Sequence, residues 1–321
     1  MPITILTMIA AIQWPYLPGL ASVLAIGLLL VLVWITAQTW YGLTRPPRRT
    51  YASALARGTP GDPSELLQGA REYKSWAFQS DGLWLPVWEI PGDRPDGPVI
   101  ILSHGWGSSR IGALSRVPAL LPLASCIIAW DMRGQGDAPG TCSLGARETR
   151  DLRLLCAEAP GDGPVVLMGW SLGAGISIAA ACGVPRVAAV IAEAPYRHVV
   201  TPARNMLLTN GMPGGATLDI ALAWVGLTSG VGPKWNQPVA FDRAWHAAQL
   251  SCPLLVLHGD ADSISPTTDG REIAAAARDG TYINIPTGGH QSLWIQPDSA
   301  AICINAVRDF ISRRVIARPP S

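Results

Sequence analysis

The chain has 321 residues, 49% of them hydrophobic, and its 24 Lys and Arg against 23 Asp and Glu leave a formal charge of +1. That length and apolar content suffice for one large α/β domain, and the near-neutral balance excludes the basic excess by which nucleic-acid binders hold phosphate. The six cysteines, Cys126, Cys142, Cys156, Cys182, Cys252 and Cys303, are scattered with no Cys-x-x-Cys pair, which argues against a zinc or redox centre and for free core thiols of a reducing compartment.

No charged side chain occurs before Arg45. From 19 to about 41 runs an apolar stretch long enough to cross a bilayer as a helix. Trp14 and Tyr16 flank one end and Trp40 and Tyr41 the other, the positions of two interfacial aromatic belts. Pro15 and Pro18 set off residues 3–12, a stretch too short to span by itself. A cleaved signal peptide is the alternative, opposed by the missing basic n-region and the overlong apolar core. Arg45, Arg48, Arg49 and Arg57 follow the helix directly, so the positive-inside rule predicts an outward N-terminus and a cytoplasmic domain. Residues 1–44 are thus read as a membrane anchor. Residues 45–72, rich in Pro, Gly and polar side chains, are expected to form a juxtamembrane linker with one short helix.

From residue 73 to 321 apolar runs of strand length alternate with segments of helical length, the pattern of a mainly parallel sheet with helices on both faces. Residues 74–80 and 83–90 flank Asp81-Gly82 and are expected to pair as an antiparallel hairpin. Residues 99–103, 126–130, 165–168, 187–192, 254–257 and 282–285 supply the remaining strands of an eight-stranded sheet. Helices are expected at 109–121, 144–158, 172–182, 267–278 and 297–314. The connection at about 198–250 is long enough to be a lid, with short helices at 202–209 and 217–227 broken by Gly211 to Gly215 and by Gly230 to Pro233. Its apolar side chains, Met206, Leu207, Trp224, Trp235 and Trp245 among them, suit contact with an acyl chain or the bilayer and equally suit packing on the core.

Gly169-Trp170-Ser171-Leu172-Gly173 joins the strand 165–168 to the helix after it. The glycines remove Cβ atoms where backbone must pass closely, so a strained serine can hold its hydroxyl up at the edge of a sheet, the G-x-S-x-G elbow. Ser103-His104-Gly105-Trp106-Gly107 follows the third strand, Asp131-Met132-Arg133-Gly134-Gln135-Gly136 the fourth, His258-Gly259-Asp260-Ala261-Asp262 the seventh and Gly288-Gly289-His290 the eighth. In these five motifs and their order the chain resembles the α/β-hydrolase fold over about 73–314, and more narrowly the membrane-anchored and serine aminopeptidase-like serine hydrolases. The resemblance implies a triad of Ser171, Asp262 and His290, with the backbone N–H groups of Trp106 and Leu172 forming the oxyanion hole.

The chemistry asks for the same parts. A serine hydroxyl is a poor nucleophile at neutral pH, so His290 is expected to take its proton and Asp262 to fix the imidazole tautomer. Each oxyanion donor is worth about 3 to 4 kcal/mol of barrier. No metal or organic cofactor is required. Asp260 and Glu193 are the alternative acids; His104, His258 and Arg133 are expected to hold loops. Serine at the elbow, in place of aspartate, points to acyl transfer. The anchor and apolar lid favour a carboxylic ester or thioester with a lipid-like acyl group. A peptidase acting on short peptides and a catalytically silent, membrane-tethered binding module are the competing readings.

Overall fold

The computed structural model describes residues 17–209, 217–236 and 241–317. Its strands are β1 (Lys74–Ser80), β2 (Leu83–Pro91), β3 (Val99–Ser103), β4 (Cys126–Trp130), β5 (Val165–Trp170), β6 (Val187–Glu193), β7 (Leu254–Gly259) and β8 (Gly280–Ile285). They form one eight-stranded sheet in the order β1-β2-β4-β3-β5-β6-β7-β8. β2 pairs antiparallel with both β1 and β4, and every other pairing is parallel. The hairpin turn holds Asp81 and Gly82 at positive φ, as a tight two-residue connection demands.

The helices are α1 (Leu17–Thr44), α2 (Tyr51–Leu55), α3 (Val117–Leu120), α4 (Glu148–Glu158), α5 (Leu172–Ala181), α6 (Val200–Thr209), α7 (Leu218–Ser229), α8 (Arg243–Ala247), α9 (Thr267–Ala276) and α10 (Pro297–Ile311). The central strands are apolar without interruption, with β3, β4 and β7 buried along their whole length, because helices cover both faces. Alternate residues then feed two cores. Ile101, Ile128 and Leu167 pack with side chains of α4, α5 and α9, while Ile100, Ile127 and Val166 pack with α3 and α10. The chain leaves β3 toward β4 on one side and returns to β5 on the other, so a crevice opens at the C-terminal ends of β3 and β5.

Two helices differ from the sequence pattern. Residues 109–121 form a 3-10 turn at Arg110–Ala113, the short α3 and a second 3-10 turn at Leu121–Leu123, because Pro118 and Pro122 lack the N–H that a continuous helix needs. The helix expected from 144 starts at Glu148: Leu144 and Gly145 both have positive φ, and the Glu148 carboxylate accepts from the N–H groups of Ser143 and Gly145 at 2.6 and 2.9 Å.

α1 is long and apolar enough to cross a membrane. Most of its length stands clear of the domain, and only its last turns dock. There Thr39 Oγ1 meets Thr217 Oγ1 at 3.3 Å, Trp106 Nε1 donates to the Leu43 carbonyl at 2.9 Å, and Cys142 N donates to the Thr44 carbonyl at 2.9 Å. α7 packs along α1. Trp14, Tyr16 and the stretch 3–12 lie outside the described residues, as do Gly211 to Gly215. Residues 45–72 pack on the domain: α2 carries a Thr50 capping box, Ala54 is buried, and Arg48 Nη1 donates to the carbonyls of Gly136 and Ala138, both at 2.9 Å.

Within the segment from β6 to β7 the apolar side chains divide. Leu218, Leu222 and Trp235 are buried, whereas Ile220, Trp224 and Leu227 form an exposed stripe along α7.

Candidate active site

The turn from β5 into α5 holds Ser171 at φ 53° and ψ −115°, a strained backbone for a residue with a Cβ. Two glycines make the turn possible. A Cβ on Gly169 would lie 2.3 Å from the Gly173 carbonyl oxygen, and one on Gly173 would lie 2.1 Å from that of Ser103. The elbow therefore presses α5 against the end of β3.

The structure brings Ser171, His290 and Asp262 together although up to 119 residues separate them in sequence. His290 Nε2 lies 2.9 Å from Ser171 Oγ, and His290 Nδ1 lies 2.8 Å from Asp262 Oδ2. Asp262 has no exposed side-chain surface. Its Oδ1 accepts from the backbone N–H groups of Ile264 and Ser265, both at 2.8 Å. Burial alone would raise this carboxyl, but hydrogen bonds from His258, His290 and Ser265 N hold it well below the usual carboxylate range. Asp262 is thus a fixed anion behind a half-buried imidazole, which selects the tautomer with hydrogen on Nδ1 and leaves Nε2 free to accept from Ser171.

His258 plays a part that its sequence position did not reveal. It is fully buried, and its Nε2 lies 3.2 Å from Asp262 Oδ2 and 3.1 Å from the Ser265 carbonyl. Two imidazoles therefore share one carboxylate oxygen. The i, i+4 relation of His258 to Asp262 carries no helical meaning here, since the chain turns sharply between them.

The alternative acids are occupied elsewhere. Asp260 Oδ1 accepts from Thr287 N at 2.6 Å and so steadies the loop that carries His290. Glu193 is clamped by Arg116, with Nε 3.1 Å from both carboxylate oxygens and Nη2 2.5 Å from Oε2, and it also accepts from Trp294 Nε1 at 2.7 Å. Both members of that ion pair are buried. Removing one partner strands a charge, so Arg116→Ala is expected to cost about 3 to 5 kcal/mol of stability, read as a lower denaturation midpoint at unchanged slope. Arg133 binds Asp151 through two bonds and reaches Asp81, tying the loop after β4 to α4 and the hairpin.

His104 joins the loops after β3 and β4. Its Nε2 accepts from Met132 N at 3.0 Å, and its Nδ1 lies 2.8 Å from the Gly105 carbonyl. Only a neutral ring satisfies both bonds, and burial pushes its pKa down from 6.5 to about 4. Because the folded value lies below the unfolded one, the stabilisation is complete above about 6.5 and is lost as pH falls toward 4. Asp131, raised by burial to about 6, acts in the opposite sense over much of the same range. The clean test is therefore residue-specific: the His104 ring resonances should titrate near pH 4, and a midpoint above 6 would contradict the assignment.

The six cysteines are free, and burial raises the thiol pKa of each of Cys126, Cys142, Cys156, Cys182, Cys252 and Cys303. They behave as core side chains. Among the described residues no group of three or more His, Cys, Asp or Glu is placed to hold a metal ion.

A cavity of about 730 Å³ opens over Ser171 and His290, ample for a medium-sized organic ligand. Gly105 and Trp106 line it, as do Met206 and Leu207 of α6. Among the described residues the backbone N–H groups of Trp106 and Leu172 have no acceptor, and so remain open to a ligand oxygen. The far wall was not expected: Thr39, Tyr41 and Leu43 of α1, followed by Arg45 and Arg49, line the same cavity. The only local signal in the sequence, a run of arginines after an apolar helix, reads as a topology determinant and not as a site.

Residues 100–301 match the family described as Alpha/beta hydrolase family. The pimeloyl-[acyl-carrier protein] methyl ester esterase of Chromobacterium violaceum is 26% identical over 60% of this chain and 87% of its own length. The Homo sapiens protein ABHD12B is 26% identical, covering 71% of this chain, and the Rattus norvegicus lysophosphatidylserine lipase ABHD12 is 28% identical, covering 60%. The matches span 64% and 49% of those two relatives, so the chain matches roughly half to two thirds of their length. Among solved structures, the Pyrococcus furiosus esterase Pf2001 superposes with a TM-score of 0.63 at 19% identity, over 84% of this chain and 99% of that one, a likeness of fold.

Proposed function

Given that this chain belongs to the alpha/beta hydrolase family, we propose that it is a membrane-anchored serine hydrolase that cleaves a carboxylic ester or thioester of a lipid-like acyl group. The observation that carries this reading is the hydrogen-bonded series Ser171, His290, Asp262 at 2.9 and 2.8 Å, opening on a cavity with apolar walls. In this mechanism Ser171 Oγ attacks the acyl carbon while His290 Nε2 takes its proton. The oxyanion is received by the N–H groups of Trp106 and Leu172, and His290 returns the proton to the leaving oxygen or sulfur. Water, activated by His290 in turn, then releases the acid from the acyl-enzyme. Asp262 stabilises the imidazolium in both halves of the cycle.

The esterase and lipase names of the relatives support an ester over an amide. Retention of α1 as an anchor is supported by its docked end, which a cleaved signal peptide would not need. The arginines after it favour a cytoplasmic face for the domain. The test is hydrolysis of nitrophenyl esters of increasing acyl length by the full chain in neutral detergent. Turnover that rises toward long chains is expected. Turnover confined to acetate and butyrate would refute the lipid-like part, and cleavage of short peptide amides with no ester turnover would refute the class.

A further inference from the structure

Among the described residues, four charged side chains other than the catalytic imidazole line the cavity: Arg45, Arg49, Arg116 and Glu193. Arg116 and Glu193 neutralise one another in the buried pair described above. Arg45 is exposed and lies over the rings of Trp40 and Tyr41, at 5.6 and 4.8 Å from their centroids, a cation–π arrangement at the cavity rim. Arg49 is different. It is half-buried, yet among the described residues it has no ion-pair or hydrogen-bond partner.

Its surroundings sharpen the point. Burial lowers the pKa of Arg49, and the like charge of Arg57 lowers it further. The charge of Arg49 is in turn felt at His104, the residue that precedes the turn bearing Trp106. A half-buried guanidinium in the cavity lining, with a like charge acting on it and no carboxylate partner among the described residues, is incomplete until an anion arrives. The guanidinium fork matches the oxygens of a phosphate or a carboxylate, and a partly desolvated charge-assisted bond is stronger than its exposed counterpart.

Resting on the esterase reading above, we propose that Arg49 binds an anionic group, phosphate or carboxylate, carried by the amphiphile that enters the catalytic cavity. Arg49 is then a specificity-determining residue: it selects acyl esters with a negatively charged head over neutral esters of the same chain length. The acyl part has the apolar surfaces of Leu207, Val199 and Leu293 available to it in the same cavity.

The experiment uses the full chain in dodecyl maltoside micelles, in a Ser171→Ala background, and measures the affinities for hexadecyl phosphate and for hexadecanol by calorimetry. The ratio of the two affinities is the readout. The phosphate is expected to bind about 10- to 100-fold tighter, Arg49→Gln to erase that preference and Arg49→Lys to keep most of it. Met206→Trp, which fills the cavity, distinguishes an anion held inside from a lipid phosphate held at the membrane surface, and is expected to abolish the preference. A parent protein with no preference, a preference that survives Arg49→Gln, or one that survives Met206→Trp would each overturn the assignment. Because binding is read without turnover, failure of the intact protein to hydrolyse any ester would count against the esterase reading alone.

Discussion

Ser171→Ala in the full chain should lower kcat/KM for a long-chain nitrophenyl ester by at least about 10⁴-fold while the thermal midpoint stays within a few degrees of the parent. The structural reason for the first half is that, among the described residues, the hydroxyl is the one group in the cavity within hydrogen-bond reach of His290 Nε2. The second half follows from Ser171 Oγ having no partner except that imidazole among the described residues, so its loss strands no buried group. The two residues act as a unit, and adding His290→Ala to Ser171→Ala should cost almost nothing more. A folded Ser171→Ala protein with undiminished, stoichiometrically authentic turnover would remove the mechanism.

Asp262→Asn should reduce kcat by about 10³- to 10⁴-fold, and this change should also destabilise the fold. Oδ1 of the wild-type carboxylate accepts two backbone N–H groups, which places the amide oxygen of asparagine at that position. The amide nitrogen must then replace Oδ2, where two imidazoles converge. Facing His290 Nδ1 it donates, and so enforces the tautomer that cannot accept from Ser171. Facing His258 Nε2, which keeps the Ser265 carbonyl, it opposes another donor, and the lost buried contact costs about 1 to 3 kcal/mol. The pH dependence has a definite sign. With its folded pKa depressed, Asp262 contributes stability that is complete above its ordinary carboxylate range and is lost as pH falls below that range through the depressed folded value. The mutant should therefore lose less stability than the parent on acidification. An asparagine protein as stable and as acid-sensitive as the parent would show that the shared carboxylate does not bear this load.

The parts of the site that were legible in the sequence share one property: each lies within a few residues of a strand end. Ser171, Asp262 and His290 could be found because short motifs mark the turns that carry them, and strand order fixes which turns are neighbours. The eight strands were legible for a similar reason, since a sheet covered on both faces demands unbroken apolar runs. Helix starts were less so. Glu148 begins α4 because its side chain reaches back to Ser143 and Gly145, a bond that composition does not announce. The grip of Arg116 on Glu193 spans 77 positions, and neither residue sits in a recognisable motif. His258 looked like a loop holder because nothing in its spacing from Asp262 tells that the turn folds one onto the other. Arg49 was hidden by a competing meaning, since arginines after an apolar helix explain themselves by topology alone.

The docked end of α1 has a kinetic consequence. With Thr39, Tyr41 and Leu43 in the wall of the cavity, the helix proposed as the membrane anchor also borders the space over Ser171. On the proposed reading of α1 as an anchor and of the substrate as an amphiphile, the substrate would reach Ser171 by lateral diffusion in two dimensions, and the quantity that saturates the enzyme would be its mole fraction in the surrounding lipid, independent of bulk molarity. Diluting such a substrate with inert lipid should slow turnover at constant total concentration, while adding buffer should not.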